Sequence, residues 1–508
     1  MPSAFSIPIT GLAANDPVPG TYLDLQFAQG AASLGSATYA IILLGNKTAA
    51  APATVDTTVY GPTSATPLIS TADAIALFGQ GSELHRMWLR VLRVNKGTPV
   101  YAVAVTESVG AAATLAITMA SAATANTTVR IFVGDDFADS AITTGDTAIV
   151  IAGNMASAIN SKLDWGVTAA NGGTAVCTIT CKQKGLRGNW FRGAAVVASS
   201  TAGTTSSVVA PTFFTGGTTA DSSTTALATV LPYRYYYIVS AAEDATQLGA
   251  LVTQVNTQAQ PLTGIRQRVF GGSVDTSGNV TTIATGLNAA RAEITWSQNS
   301  EVTPSELAAN AAAIYALEEA PLVFKCNFAG YGNDAVTVNN WTIKAPRSGT
   351  AQTRATIKAA LNNGISPIGV NANGTTYLVN RITTRSLSGA NADYRIRDAH
   401  KVTICDRYAD DLNAKFSAQF TGKLLADDPP VGTRVPGGNV ATPRVIRACI
   451  NKLTLDYASL DLLQNPDQIV AATIVIRESS PTTRASCRIP LQTADGLFQL
   501  GAAIDQVG

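Results

Sequence analysis

The sequence carries little charge. Only 14% of its 508 residues are Asp, Glu, Lys or Arg, and the formal net charge is +1. No long basic or acidic block occurs, so nucleic acid is excluded as the main partner, because phosphate binding needs a concentrated basic surface. Small residues, chiefly alanine, threonine, serine and glycine, take the place of charge. This composition fits a subunit that hides much of its surface against copies of itself, and it fits an ordinary alanine- and threonine-rich protein equally well.

Histidine and cysteine are also scarce. The chain has two histidines and six cysteines, with no CxxC pair, so no zinc site is expected. Cys177 and Cys181 lie in the run CTITC, which is typical of a strand. Four strand steps span about 13 Å, too far for a disulfide between them. We therefore expect buried, reduced thiols and no cofactor.

Long apolar runs are missing as well. No stretch approaches the roughly 18 apolar residues of a membrane helix, and the runs YAIILL and VAATIVI have the length of strands. The first residues, MPSAFSIPITGLAAND, contain neither the basic region nor the unbroken apolar region of a signal peptide. Neither membrane insertion nor export is expected.

Catalytic patterns do not occur. The chain contains no GxSxG, no GxxxxGK[ST] and no GxGxxG after a strand pattern. His85 falls on an amphipathic pattern and His400 in a charged stretch, so each is expected to be structural or solvated. Two pairs of adjacent acids are more typical of solvated surface than of acid–base catalysis. The sequence predicts no catalytic and no metal-binding residue.

Strand and helix patterns alternate on both sides of a β-rich middle. Residues 21–105 and 226–375 show this alternation, with the amphipathic run GSELHRMWLRVLRVN as one example. Residues 106–225 are almost uncharged and consist of short alternating runs, and we call them the insert. We predict an α/β core in which strands from both sides of the insert share one sheet, with helices on its faces.

Short polar patterns mark where helices begin. Ser70 and Asp73 have the spacing of a capping box. Ser240 and Glu243 repeat this spacing before a helix predicted to end near Gln258. Both positions are therefore predicted as helix starts.

A junction at residues 364–379, GISPIGVNANGTTYLV, closes the second half of the core. Gly364 is predicted to end a helix, and Asn373-Gly374 is predicted to form the turn of a hairpin. Residues 376–491 then form a predicted C-terminal domain. In it, Thr442-Pro443 marks the start of a helix that runs to about Leu463.

Both ends of the chain carry strand patterns without a local partner. The N-terminal arm, residues 1–20, alternates at Phe5, Ile7 and Ile9. The C-terminal arm, residues 492–508, alternates in the same way. Its strand positions are Phe498, Leu500 and Ile504. Twenty extended residues reach at most about 65–70 Å, enough to cross to a neighbouring subunit. Disordered ends are the plainer alternative.

A hairpin in the run QIVAATIVIRESSPTTRASCRIPL offers open edges to such arms. Its strands are predicted at Ile469–Ile476 and Ser486–Leu491. Unpaired edges invite association, and a strand donated by another subunit would satisfy them. We therefore favour arm donation to this hairpin. The predicted accepting residues are Ile469, Val470, Ile474, Ile476, Ile489 and Leu491.

A set of motifs follows in a fixed order along most of the chain. VPGTYLDL comes first, then YAIILLGNK, the turn FGQGS and the amphipathic run after it. TTGDTAIVIAGNMASAINSKLDWGV follows in the insert, then LNNGISPIGVNANGTTYLVNRITTR, HKVTICDRYADDLNAKFSAQF and ATPRVIRACI. Taken in this order, the motifs resemble those of the contractile tail sheath proteins of myophages, specifically the Mu-like branch.

The resemblance implies a structural protein and not an enzyme. Sheath subunits form stacked hexameric rings around an inner tail tube, and contraction drives the tube through the host envelope. The implied partners are copies of the chain, the tube, the baseplate and the tail terminator, in a virion tail assembled in the bacterial cytoplasm. The resemblance also implies a sheath-type core with exchanged arms and an innermost C-terminal domain. Basic residues that could then face the tube are Lys415, Lys423, Arg444, Arg447 and Lys452.

Three other interpretations stay open at this point. The chain could be the sheath of a capsid-less, phage-derived injection device, which uses the same mechanism. It could be an α/β enzyme with a β-rich insert, which would need a polar pocket with perturbed titratable groups. A passive surface-layer or adhesin protein would need an export route.

Overall fold

The described part of the chain covers most of the predicted domains. The computed structural model describes residues 39–498, apart from 232, 320–324, 326, 334–340, 350–351 and 431–437. The predicted arm residues Phe5, Ile7, Ile9, Leu500 and Ile504 lie outside the described residues.

The first half of the core consists of two strands and two helices. These are β1 (Ile41–Gly45), α1 (Thr71–Phe78), α2 (Glu83–Val94) and β2 (Val100–Ala104). The predicted capping box of α1 is present, because the Ser70 hydroxyl accepts from the Asp73 amide and the Asp73 carboxylate accepts from the Ser70 amide. The amphipathic run forms α2, and its apolar side is buried against the sheet.

The insert forms two sheets of its own. Its elements are β3 (Ala112–Thr118), β4 (Thr127–Val133), β5 (Asp136–Ile142), α3 (Ala148–Asn160), β6 (Val167–Ala170), β7 (Val176–Lys184), β8 (Arg192–Val197) and β9 (Thr212–Phe213). One sheet has the order β3-β7-β6 and the other β5-β4-β8-β9. Helix α3 packs against β5, β6 and β7, and the side chains between these elements form a hydrophobic cluster separate from that of the core.

The core resumes after the insert and completes one sheet. Its further elements are α4 (Thr224–Val230), β10 (Tyr237–Ser240), α5 (Ala245–Gln258), β11 (Arg268–Ser273), α6 (Ser277–Leu287), β12 (Ala292–Trp296), α7 (Pro304–Glu318), α8 (Arg354–Asn362), β13 (Ser366–Val370) and β14 (Thr376–Leu378). The strand order is β14-β13-β12-β11-β10-β1-β2, parallel except for the final hairpin of β13 and β14. The prediction that strands from both sides of the insert share one sheet is confirmed.

Alternating side chains of β1 show how the sheet is covered. Ile41 and Leu43 join a cluster with α1, α2 and α7, whereas Ile42 and Leu44 join a cluster with α4 and α5. A strand that is buried on both faces has a continuous apolar sequence, as β1 does. This is typical of a parallel sheet between two layers of helices. The strand order reverses at β1, because the chain leaves it towards β2 and returns on its other side at β10.

The predicted junction after α8 is also present. Gly364 has a φ of +78°, and a Cβ there would lie 2.6 Å from the carbonyl oxygen of Thr384. Only glycine fits such a left-handed position in close contact with another backbone. The hairpin of β13 and β14 follows, with the pairing Val370 to Thr376 next to the turn.

The C-terminal part of the chain contains three helices and short strands. They are β15 (Leu387–Ser388), β16 (Asn391–Ala392), α9 (Ala399–Phe420), β17 (Leu424–Leu425), β18 (Val440–Ala441), α10 (Pro443–Ala458), α11 (Pro466–Ala472), β19 (Ile474–Arg477) and β20 (Ala485–Arg488). Thr442 caps α10 through its side chain and Pro443 is the first helical residue, as predicted. A hydrophobic cluster joins α9, α10, α11 and the β19–β20 hairpin.

Three predicted element boundaries are wrong. The helix α10 ends at Ala458 and not near Leu463, because the chain turns at Asp461, whose φ is +57°. Ile469 and Val470 lie in α11 and not in a strand, because Pro466 and Asp467 start a helix that buries Ile469. Ser240 and Glu243 do not cap α5. The cap is Asp244, whose carboxylate accepts from the Gln247 amide, because the strand β10 continues through Ser240.

Buried ion pairs connect the sheet to α9. Arg291 at the start of β12 donates two hydrogen bonds of 2.7 and 2.8 Å to Asp406 of α9, which also accepts from the Tyr236 hydroxyl. Arg291 and its neighbours lower the pKa of Asp406, although burial opposes this shift. Glu293 in the same strand is paired with Arg268 and Arg381. Each guanidinium therefore has a carboxylate partner away from water.

Removal of the Asp406 carboxylate is expected to destabilise the chain strongly. In Asp406→Ala the buried Arg291 loses its carboxylate partner. The free energy of unfolding, measured by urea denaturation, should fall by about 3–5 kcal/mol. Asp139→Ala is the matched control, since the Arg130–Asp139 pair is largely exposed and should contribute little. Equal effects of the two substitutions would contradict a structural role for the buried pair.

Candidate functional site

The β19–β20 hairpin has two open edges among the described residues. It forms a two-stranded antiparallel sheet with no third strand. The amide of Glu478 donates to the carbonyl of Arg484 at 2.9 Å, so this is a hydrogen-bonded pair. Since such pairs alternate along an antiparallel ladder, the facing residues Arg477 and Ala485 direct their backbone N–H and C=O groups outwards, one on each edge.

One face of this hairpin is fixed to the helices below it. Val475, Ala485, Cys487 and Ile489 pack against the cluster formed by α9, α10 and α11. Ile474 on the other face is 40% exposed. The hairpin is therefore held in place while its edges can still accept a strand.

Of the predicted accepting residues, the structure brings only some into the hairpin. Ile474 and Ile476 lie in β19, whereas Ile489 and Leu491 follow β20, with Leu491 buried in the same cluster. Ile469 also belongs to that cluster, but as a helical residue. The accepting edge is therefore shorter than predicted, and acceptance itself stays a prediction.

The segment that leads to the C-terminal arm is tied to the start of α9. His400 donates from Nε2 to the carbonyl of Ala494 at 3.2 Å, and Lys401 forms an ion pair with Asp495. Thr493 makes a backbone bridge with Leu463. The described chain ends at Phe498, which lies outside regular secondary structure.

The predicted tube-facing basic residues have different surroundings. Lys415 pairs with Asp456 at 3.0 Å, and Arg447 donates to the carbonyls of Val470 and Ala471 at the end of α11. The Arg444 side chain donates to the carbonyl of Pro429. The exposed residues Lys423 and Lys452 are the other two, and Lys423 lies 5.8 Å from the ring of Phe420. Three of the five thus form hydrogen bonds or an ion pair within their own chain.

The histidines and thiols are in structural positions. His85 accepts from the Gly81 amide at Nδ1, and burial lowers the pKa of both His85 and His400. The cysteines in the described segments are free, and burial raises the pKa of Cys177 to about 12 and that of Cys181 to about 11. In those same segments no group of three or more His, Cys, Asp or Glu side chains could hold a metal ion.

A polar cleft of about 370 Å³ lies beside the α6–β12 connection and includes Arg385, Asp393 and Arg395. Arg395 holds the carboxylate of Asp393 with hydrogen bonds of 2.9 and 3.0 Å and lowers its pKa to about 2. Such a carboxylate is a poor general base at neutral pH. As for membranes, none of the helices in the described ranges has the length and apolar character needed to span one.

Sequence reasoning missed the ion pairs that join the units. Glu293 lies in the middle of the buried strand AEITW, and Arg268 begins the buried strand RVFGGS. A charged residue inside a strand that is predicted to be buried requires a partner, and this was the available signal. The identity of the partner cannot be predicted, because it comes from another strand, as Arg268 does, or from the segment after β14, as Arg381 does.

Comparison with known proteins gives a partial match to a tail sheath protein. No family model matches the chain. It is 29% identical over 173 residues to the Mu-like prophage FluMu tail sheath protein of Haemophilus influenzae, a match that covers 34% of each chain. The predicted resemblance to Mu-like tail sheath proteins is thereby confirmed, and the matched region spans about a third of that relative.

Solved structures similar to this chain carry related descriptions. The sheath tail protein of Listeria innocua is 11% identical with a TM-score of 0.48, over 92% of this chain and 94% of that one. The helical sheath of the anti-feeding prophage in its contracted state is 10% identical with a TM-score of 0.47, over 97% and 100%. Because both TM-scores lie below 0.5, the description of the fold rests on the topology of this chain alone.

Arg447 and Lys452 should differ in their effect on stability. Arg447→Gln removes the guanidinium that donates to the carbonyls of Val470 and Ala471, and it should lower the free energy of unfolding by about 1 kcal/mol. Lys452→Gln should leave thermal and urea denaturation nearly unchanged, as is usual for an exposed residue. A larger effect of Lys452→Gln than of Arg447→Gln would show that the local contacts of Arg447 are unimportant.

Proposed function

We propose that this chain is the subunit of a contractile phage tail sheath. The observation that carries the proposal is the sequence identity of 29% over 173 residues to a Mu-like tail sheath protein. In this proposal the subunits form stacked hexameric rings around the inner tail tube, and contraction drives the tube through the host envelope. The other partners are the baseplate and the tail terminator, and the place of action is the virion tail, after assembly in the bacterial cytoplasm.

Strand addition is the proposed link between subunits. The outward N–H and C=O groups of Arg477 and Ala485 offer the hydrogen bonds that a donated strand would need. Donated arms would come from the strand patterns at residues 5–9 and 498–506 of other subunits. Main-chain pairing tolerates small side-chain shifts, so these links could persist while the subunit bodies change their packing.

Contact with the tube is proposed for the exposed side of the C-terminal domain. Lys423 and Lys452 are better candidates than Lys415 and Arg447, because the latter two already bind partners in their own chain. The sheath of a capsid-less injection device would use the same surfaces, and genome context would separate the two.

Proline at an outward-facing position should block strand addition without unfolding the hairpin. Arg477→Pro and Ala485→Pro each remove one outward N–H from opposite edges, and proline is tolerated at such positions. We expect both to fold, as judged by circular dichroism, and the one whose proline lies on the accepting edge to form no rings or cylinders in negative-stain microscopy. Arg477→Ala is the control, since it removes the side chain and keeps the N–H. Normal assembly of both proline variants would show that the hairpin accepts no strand.

Removal of residues 1–15 should leave soluble monomers, because the N-terminal donor strand is then missing. The full chain is expected to form striated hollow cylinders in negative-stain microscopy. Removal of residues 1–4 retains Phe5, Ile7 and Ile9 and serves as the control. If the longer deletion polymerised like the full chain, the assignment of the N-terminal arm would be wrong.

A further inference from the structure

The first residues of the C-terminal arm are bound to their own chain. Residues 492–497, which we call the root, run alongside the connection between α10 and α11. The amide of Ala494 donates to the carbonyl of Leu462 at 3.0 Å, and the amide of Gln464 donates to the carbonyl of Gln492 at 2.9 Å. Two backbone hydrogen bonds in opposite directions form an antiparallel bridge, so the root is fixed along this connection.

Side chains hold the root from a second direction, the amino end of α9. Lys401 forms an ion pair with Asp495, and His400 donates from Nε2 to the carbonyl of Ala494 at 3.2 Å. The Gln464 side chain lies 3.3 Å from the same Asp495 carboxylate. Three separate donors therefore meet on two neighbouring residues of the root.

The root is also held at its far end. The Asn327 side chain donates to the carbonyl of Leu497 at 3.2 Å, although the Leu497 side chain is 72% exposed. Leu497 is therefore held through its backbone and not through burial of its side chain. The predicted donor strand begins with the next residue, Phe498.

Helix α9 connects the root to the central sheet. Thr403, Asp406 and Asp410 are spaced by three and four residues, so they lie on one face of the helix. They accept hydrogen bonds from residues at or just before the amino ends of three strands, namely Arg268, Arg291 and Tyr39. At about 100° per residue, Lys401 lies on the opposite side of the helix. One helix thus binds the sheet on one face and the root on the other.

We propose that Lys401 and Asp495 position the C-terminal arm, so that only the chain beyond Leu497 is donated to a neighbouring subunit. This inference rests on the proposed function, because it assigns a role within strand donation. The arm then leaves every subunit from one fixed point relative to the sheet. Ordering a flexible chain costs conformational entropy. Because the root is already ordered within its own chain, that cost falls on folding and not on assembly.

The ion pair is suited to positioning rather than to stability. The Lys401 side chain is 18% exposed and that of Asp495 is 64% exposed. Exposed pairs of this kind contribute little to the free energy of unfolding. Reversal of the charge of Lys401 should therefore leave urea denaturation nearly unchanged, and aspartate is accepted in the first turn of a helix. Loss of the position of the arm and loss of the fold can thus be separated.

Hydrogen exchange in unassembled full-length subunits tests the root. In Lys401→Asp the amides of Gln464 and Ala494 should exchange roughly five- to twentyfold faster, because an ion pair is lost and like charges meet. The double variant Lys401→Asp/Asp495→Lys restores opposite charges and should exchange close to the wild-type rate. The Asp398 carboxylate lies 4.0 Å from the Lys401 ammonium and repels the new aspartate equally in both variants, so the difference between them reports on Asp495.

Negative-stain microscopy then tests the positioning role. Lys401→Asp should form cylinders only at a subunit concentration several times that of the wild type, whereas the charge-swapped double variant should assemble like the wild type. Lys415→Asp is the matched control for exchange. It breaks another ion pair of α9, about 21 Å further along the helix, and should leave exchange of the root amides unchanged.

Three results would overturn the proposal. Unchanged exchange of the Gln464 and Ala494 amides in Lys401→Asp would mean that the ion pair does not hold the root. Faster exchange that the double variant fails to restore would mean that Asp495 is not the partner. Faster exchange together with unchanged assembly would mean that the root does not position the arm. A wild type that forms no cylinders would instead contradict the proposed function, and the exchange results would still decide whether the pair holds the root.

Discussion

Arginine–carboxylate pairs at the borders between the units determine the geometry of this chain. Arg291 with Asp406 joins the sheet to α9, and Arg187 of the insert with Glu83 of α2 joins the insert to the core. Buried pairs of this kind add little net stability compared with apolar residues of the same shape, because desolvation offsets their attraction. They do, however, penalise every arrangement in which one partner is left alone. Their main consequence is a single relative placement of the units they connect.

This division of roles would suit the sheath subunit proposed above, in which the subunit bodies change their packing. Side-chain ion pairs act inside the chain, at the borders between its units. At the proposed borders between chains, backbone groups on the β19–β20 hairpin would form the contacts, and these depend less on which side chains face each other. A low overall content of charge is consistent with this arrangement, because many of the arginines and acids are used inside the fold.

Local patterns predicted several helix starts and stops, and the alternation on both sides of the insert predicted the shared sheet, but no pattern predicted which buried charges form pairs. The Ser70–Asp73 box and the Gly364 stop appear as expected, since each depends on residues within one turn. The apolar run that contains Ile469 has no distinctive period, and its length is typical of a strand. Pro466 and Asp467 before it are the local signals of a helix start. The contact of Arg187 with Glu83 could not be foreseen, because the two residues are 104 positions apart and meet only once the sheet has formed.

The late arrival of β10 next to β1 has a consequence for folding on the ribosome. The two strands pair directly although roughly 200 residues separate them, and such distant pairings form slowly. The insert lies entirely within that interval and pairs only with itself in its sheets. The insert can therefore fold before β10, which pairs with β1, has been synthesised. Translation order therefore lets the insert be the first part of the molecule to complete its fold. The central sheet then forms against the contacts that the folded insert provides.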